Sequence, residues 1–220
     1  DIKKAIYYYW LAANQNHSGA QYNLGLIYYQ DEGIPQDINK AIYYFYLAAN
    51  QNHSGAQYYL GLIYYRGKGI LQDINKAIYY FSLAANQNYS DAQVSLGLIY
   101  YQDEGIPQDI KKAIYYLSLA ANQNNSWAQA FLGHIYYHGK SILRDIKKAF
   151  NYFTLAANQN NLIAQFYLGL IYYHGEVCKR DINIAIHYYS LAANQNNSNA
   201  QYNLGFIYYK GELVKKDINK

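Results

Sequence analysis

Asp37-Ile38-Asn39-Lys40-Ala41-Ile42-Tyr43-Tyr44, then Leu47-Ala48-Ala49-Asn50-Gln51-Asn52, then Ala56-Gln57-Tyr58-Tyr59-Leu60-Gly61-Leu62-Ile63-Tyr64-Tyr65: this frame returns along the whole chain. Its marker is aspartate followed by isoleucine at Asp1, Asp37, Asp73, Asp109, Asp145, Asp181 and Asp217, each step being 36 residues without insertion or deletion. A fixed period of this length marks a repeat architecture, in which each unit is one supersecondary element that cannot bury its apolar face alone.

Two helices fit each period. Helix B opens at Asp37, an N-cap whose carboxylate accepts from free amides, and carries Ala41, Tyr44, Phe45 and Ala48 at helical spacing. Asn52 closes it, as do Asn16, Asn88, Asn124, Asn160 and Asn196, because asparagine tolerates the left-handed conformation of a helix C-terminus. Ser54 with Gln57 three residues on reads as a capping box for helix A, which buries Ala56, Leu60, Ile63 and Tyr64. The glycine-rich stretch 67–69 turns the chain into the next period. Ala12, Ala13, Ala20 and Gly25 let helix axes approach, while Leu24, Ile27, Tyr28 and Tyr8 fill the seams. A glycine within a helix costs about 1 kcal/mol relative to alanine, so its return at Gly25, Gly61, Gly97, Gly133, Gly169 and Gly205 implies a packing reason.

The expected organisation is a lone helix B over 1–16, hairpins over about 18–52, 54–88, 90–124, 126–160 and 162–196, a lone helix A over 198–211, and the start of another helix B at 217–220. Such a chain reads as a piece of a longer protein. Loops 30–36 and 102–108 are identical while 66–72 is basic, which suggests duplication in two-hairpin units.

The stretch Ala20 to Tyr29, the loop Glu32-Gly33-Ile34-Pro35-Gln36-Asp37, and Lys40-Ala41 to Ala48-Ala49 resemble the Sel-1-like repeats, relatives of the tetratricopeptide repeats, almost letter for letter. Departures are Asn52 and its equivalents, where the family usually has glycine, and altered loops at Lys140-Ser141 and Val177-Cys178. The resemblance implies an all-α, right-handed α-solenoid of antiparallel helix–turn–helix repeats. It also implies scaffold or adaptor work, family members serving in ER quality control, cell-wall synthesis and signalling, or contact between bacteria and host cells. Fold alone does not choose among these.

Variation among the copies points to a binding face. Period positions 19, 23, 26 and 30 change and share one side of helix A. They read Gly19, Asn23, Leu26, Gln30; Gly55, Tyr59, Leu62, Arg66; Asp91, Ser95, Leu98, Gln102; Trp127, Phe131, His134, His138; Ile163, Tyr167, Leu170, His174; and Asn199, Asn203, Phe206, Lys210. Related solenoids line their groove with helix A, so Tyr59, Arg66, Trp127, Phe131, His134, His138, Tyr167 and His174 are the candidate partner-binding residues. Trp127 and Phe131 are the anchors, aromatic residues being prominent among binding hot spots. A second stripe, Tyr7, Trp10, Tyr43 and Tyr46 with Tyr79 and Tyr115, lies on helix B and gives way to Asn151 and His187. It is either a second contact patch or the result of placing many of 31 tyrosines on solvated faces.

Other chemistries find little support. Residues 1–110 carry 6 Lys and Arg against 9 Asp and Glu, and residues 111–220 carry 12 against 5. The basic half, with Lys179, Arg180, Lys215 and Lys216 in loops, is expected to be a solvated surface. Only Arg66 and Lys210 are basic on the helix A stripe, so no nucleic-acid partner is expected. His134 and His138 stand i, i+4 with His174 one period on, but without the glutamate of H-E-x-x-H; no metal and no cofactor are expected. There is no S-x-x-K, G-x-S-x-G or phosphate loop, and no catalytic residue is assigned. The apolar runs are too short to cross a bilayer. Single Cys178 has no intrachain partner and favours a reducing compartment such as the cytoplasm. The five Asn-x-Ser matches at Asn16, Asn52, Asn88, Asn124 and Asn196 keep the ER lumen or secretion open, although turn and cap chemistry explains them without glycans. The expected function is a protein-interaction scaffold; the alternative is the regulatory or targeting arm of an enzyme whose catalytic domain lies outside this chain.

Overall fold

The structure, a computed structural model, describes residues 1–30, 33–103, 105–139 and 142–211. The expected helix start at 217–220, Lys215, Lys216 and the altered loop at Lys140-Ser141 lie outside these residues. The described residues form twelve helices and no strand: α1 Ile2–Asn14, α2 Ser18–Tyr29, α3 Ile38–Asn50, α4 Ser54–Arg66, α5 Ile74–Asn86, α6 Ser90–Tyr101, α7 Ile110–Asn122, α8 Ser126–His138, α9 Ile146–Ala157, α10 Leu162–His174, α11 Ile182–Asn194 and α12 Ser198–Tyr209. Odd-numbered helices are the expected B, even-numbered the expected A. They fall into two compact units, Asp1–Leu119 and Ala120–Lys220.

Within each unit an A helix packs most extensively on the B helix after it, as α2 on α3, α4 on α5, α8 on α9 and α10 on α11. The recurring glycine explains why. A Cβ built on Gly25, Gly61, Gly133 or Gly169 would stand 2.5–2.6 Å from the ring of Phe45, Phe81, Phe153 or Tyr189. On Gly97 it would stand 2.6 Å from Leu117 Cγ. These side chains are fully buried. On another edge, Tyr28–Tyr44, Tyr64–Tyr80, Tyr100–Tyr116, Tyr136–Tyr152 and Tyr172–Tyr188 stack with nearly parallel rings 5.7–6.0 Å apart. Tyr8, expected in a seam, is instead two-thirds exposed, its ring meeting only Tyr7 edge-on among the described aromatic pairs.

The interhelical turns agree with the sequence at one end and correct it at the other. Asn16, Asn52, Asn88, Asn124, Asn160 and Asn196 all have φ of 60–64°, the left-handed closure expected of them. The capping box does not form. The N-cap is the residue before the serine, or before Leu162 in α10: His53 Nδ1 accepts from the Ala56 amide at 3.2 Å, and Asn125, Asn161 and Asn197 cap their helices in the same way. Gln57 turns inward. Its Nε2 donates to Ala49 O and Asn52 Oδ1, and its Oε1 accepts from Gln87 Nε2 at 2.7 Å. The same bridge joins Gln51 to Gln21, Gln159 to Gln129 and Gln195 to Gln165, so a ladder of amides, one of each pair buried, connects consecutive periods.

The loop after helix A is closed by a donor the sequence reading overlooked. Gln36 and Gln72 Nε2, or Arg144 and Arg180 Nε, donate to the carbonyls of Tyr29, Tyr65, Tyr137 and Tyr173 at 2.6–2.9 Å. The Asp37 amide takes the neighbouring Tyr28 carbonyl, and the Asp37 carboxylate then receives the Lys40 amide. That hydrogen bond holds the Asp37 carboxyl below its ordinary pKa.

Two consequences can be measured. Gly61→Ala improves helix propensity by about 1 kcal/mol but drives a methyl into Phe81, and the overpacking cost of about 1–3 kcal/mol should leave the protein net less stable in urea unfolding. Burial lowers the His53 pKa from its ordinary 6.5. The neutral ring caps α4, so its contribution is complete above the unfolded-state pKa and fades as pH falls through the lower folded value. Thermal melts should show less loss between about pH 7 and pH 5 in His53→Asn than in the wild type, since asparagine caps without titrating. Identical pH profiles for the two proteins would contradict the histidine cap.

Candidate protein-binding face

The helix A stripe is only partly solvent-facing, because Tyr59 and Tyr167 each also cover a buried ring. In residues 1–119, Tyr59 lies over Phe45, ring centroids 5.2 Å apart and planes within 15°, and meets Tyr29 edge-on at 5.4 Å. Tyr22 stands on the other side, tilted against Tyr59 at 6.0 Å and stacked on His53 at 4.5 Å. Burial, with the negative potential of neighbouring phenols, pushes its own hydroxyl up to about 12. Arg66 is exposed, and its Nη1 reaches the Tyr29 hydroxyl at 3.5 Å. Lys68 extends the same edge, its ammonium 4.1 Å above the Tyr29 ring. This half presents a tyrosine platform rimmed by cations.

In residues 120–211 the stripe is denser. Trp127 is 48% exposed and lies stacked with Phe131 at 6.3 Å. His134 and His138, one turn apart, have ring centroids 4.4 Å apart, and His138 Nε2 is 3.0 Å from the Tyr167 hydroxyl. Tyr167 in turn lies flat on buried Phe153, 4.8 Å away with planes within 1°, and meets Tyr137 edge-on. The six expected residues of this unit thus divide. Trp127, Phe131, His134, His138 and Tyr167 lie on one face of α8 and α10, and His174 lies two turns further along α10, beside a pocket lined also by Leu170 and Phe206. No group of three or more His, Cys, Asp or Glu suited to a metal ion occurs among the described residues.

Residues missed by a search for variable positions complete the edge. Tyr137 is the same in every period, yet it sits under Arg144, whose guanidinium is 5.2 Å from the ring and 2.8 Å from Glu176 Oε1. Glu176 Oε2 is buried without a hydrogen-bond partner. Burial and this carboxylate raise the Tyr137 phenol to about 12. The signal was present in the sequence: Arg144 and Arg180 replace the glutamine of earlier loops, retaining the donor and adding a charge.

The helix B stripe is on the surface. Tyr7, Trp10, Tyr43, Tyr46, Tyr79 and Tyr115 are all about half exposed, and Tyr43, Tyr79 and Tyr115 are braced edge-on by the next tyrosine at 5.1 Å. Cys178 is exposed and unbridged. No helix among the described residues is long and apolar enough to cross a membrane.

Tandem helical hairpins of 36 residues, closed by asparagine turns and tied by a glutamine ladder, define a helical-repeat protein. The Sel1 repeat model matches residues 1–17, 18–53, 54–89, 90–125, 128–161, 162–197 and 198–220, and the chain belongs to this family. Among solved structures it is similar to c5321, a protective antigen of uropathogenic Escherichia coli with this repeat fold, at 30% identity and a TM-score of 0.86 over 97% of the chain. The chain spans 46% of the length of that protein. It is also similar to a Sel1 repeat protein from Oxalobacter formigenes, with 34% identity, a TM-score of 0.84 and coverage of 92% of this chain and 83% of the other. Immunity protein Pa5087 from Pseudomonas aeruginosa shares the fold at 21% identity and a TM-score of 0.56, over 86% of this chain and 72% of its own. No curated protein sequence matches the chain. Sel1-repeat proteins are generally protein-interaction scaffolds, and the fold is typically non-catalytic.

The assignment of Glu176 to Tyr137 is open to a direct measurement. Glu176→Gln removes the negative charge, so the Tyr137 phenol should titrate below about 12 but stay above its ordinary value because burial persists. Tyrosine ring-carbon NMR across alkaline pH reads this, and an unchanged titration would disprove the coupling.

Proposed function

We propose that the chain is a protein-interaction scaffold that takes an extended or helical segment of another protein along the A-helix face. Trp127 and Phe131 are the principal anchors in residues 120–211, with His134, His138, Tyr167 and His174 beside them; Tyr59 and Arg66 contribute in residues 1–119. One observation carries this reading. Trp127 keeps nearly half its surface in solvent and stacks with Phe131, and on the same stripe His134, His138 and Tyr167 form a second cluster of rings. Contiguous exposed aromatic surface marks interaction sites, and tryptophan, tyrosine and arginine dominate their energetics. The histidines add donors and acceptors without fixed charge, which suits a polypeptide backbone.

The test is selection of displayed twelve-residue peptides against the purified chain, followed by titration of the winners. Trp127→Ala with Phe131→Ala should weaken them by about 30-fold, equivalent to about 2 kcal/mol, with helicity and melting temperature nearly retained. Undiminished binding by the folded double variant would remove this face from consideration.

A further inference from the structure

Two histidines stand one turn apart on α8, and the repeat shows what they replace. At the position of His134 the other copies carry leucine or phenylalanine, and Leu26, Leu62 and Leu170 pack there against apolar clusters. At the position of His138 they carry Gln30, Arg66, Gln102, His174 and Lys210. A half-buried imidazole in place of leucine gives up apolar burial, so α8 trades packing for a pair of adjacent nitrogen donors. The glutamate missing from H-E-x-x-H is a general base rather than a ligand; its absence bears on hydrolysis and leaves the two histidines in place.

The two imidazole centroids lie 4.4 Å apart. Tyr167 closes the group from α10, its ring 5.6 Å from His134 and 5.8 Å from His138, and its hydroxyl 3.0 Å from His138 Nε2. Imidazoles at this spacing can each bring a nitrogen to the usual distance of about 2.0–2.1 Å from one ion, the two bonds then meeting at about 90°. Neighbouring ligands at such an angle stand about 2.9 Å apart. The separation of His138 Nε2 from the Tyr167 hydroxyl matches that spacing. Right angles and a nitrogen–oxygen donor set suit the tetragonal coordination of Cu²⁺ and Ni²⁺ better than the tetrahedron of Zn²⁺. Arg144, which packs on neighbouring Tyr137, is paired with Glu176 at 2.8 Å, and this offsets its repulsion of an incoming cation.

We propose that His134, His138 and Tyr167 form a binding site for a late first-row divalent cation, with Cu²⁺ held more tightly than Ni²⁺ or Zn²⁺. The two imidazoles bind as neutral donors. The Tyr167 oxygen is the third donor, its proton passing to solvent as the ion enters. The remaining coordination positions exchange with solvent.

Calorimetric titration of the whole chain with CuCl₂ should give one site with a Kd on the order of micromolar, with NiCl₂ and ZnCl₂ weaker and MgCl₂ without effect, since a hard cation prefers oxygen ligands. The repeat supplies variants that fit its own frame: His134→Leu and His138→Gln install residues found at the same positions of other copies. Each should weaken Cu²⁺ at least about 10-fold, and the two together report the background from the remaining histidines. Tyr167→Phe keeps the ring on Phe153 and should weaken Cu²⁺ several-fold. Wild-type affinity no tighter than that of the double variant, or undiminished affinity in either folded single histidine variant, would overturn the site. Unchanged affinity in Tyr167→Phe would overturn the third donor, and Zn²⁺ bound more tightly than Cu²⁺ would overturn the tetragonal geometry. The site goes beyond the scaffold reading and fails separately from it. Refusal of Cu²⁺ by a chain whose peptides need Trp127 and Phe131 removes only the metal, and Cu²⁺ binding without any peptide on the face removes only the scaffold reading.

Discussion

The contact on which the rest of the structure depends is the one between the glycine in the middle of each A helix and the side chain that presses on it from the following B helix. At Gly25, Gly61, Gly133 and Gly169 a methyl group would stand inside the carbon radius of an aromatic ring. The helix gives up about 1 kcal/mol of propensity at each such position. In return a whole phenyl or phenol ring is removed from water, an effect of roughly 1.5–3 kcal/mol for a large apolar side chain. The inequality favours glycine, and it sets the separation of the two helices. Once that distance is fixed, the opposite face of the same ring is presented to the next A helix, where Tyr59 and Tyr167 cover it.

The glutamine ladder works at the turn end of the same hairpins. Gln57 donates within its own hairpin junction and accepts from the glutamine of the next, and the asparagine in the left-handed turn receives from both. A buried amide is costly unless its partners are in place. Because those partners come from positions 5 and 30 residues away, an inserted or deleted residue would leave several amides unsatisfied at once. The unbroken 36-residue period thus has a mechanical reason. Register held by glycine and glutamine leaves the outer positions of helix A free to differ between copies in the 36-residue frame.

Those positions are where the copies acquire different chemistry. Trp127 and Phe131 add apolar surface, His134 and His138 add polar atoms, and Asn203 places an amide beside the Tyr189 hydroxyl. The tyrosines of helix B follow another rule. They are exposed, and Tyr43 and Tyr79 meet the next tyrosine along the helix edge-on.

The sequence by itself determined the helices, their order and the closure of their turns, because each rests on interactions among residues close along the chain. Asp37 caps the helix it precedes, and Asn52 adopts a positive φ wherever a turn requires one. It also determined which side of helix A varies. It misplaced the cap of helix A and the role of Gln57, since a serine and a glutamine at capping-box spacing look alike whether the amide folds back or points inward; only the tertiary partners Ala49 and Gln87 decide. Tyr137 and Arg144 escaped notice because constancy among repeats conceals a residue whose surroundings differ from copy to copy. The burial of Tyr189 belongs to tertiary structure alone: the position that holds a ring at Tyr59 and Tyr167 is Asn203 here, and the floor is closed all the same because Phe166 and Leu170 of α10 and Leu204 of α12 pack on its cluster.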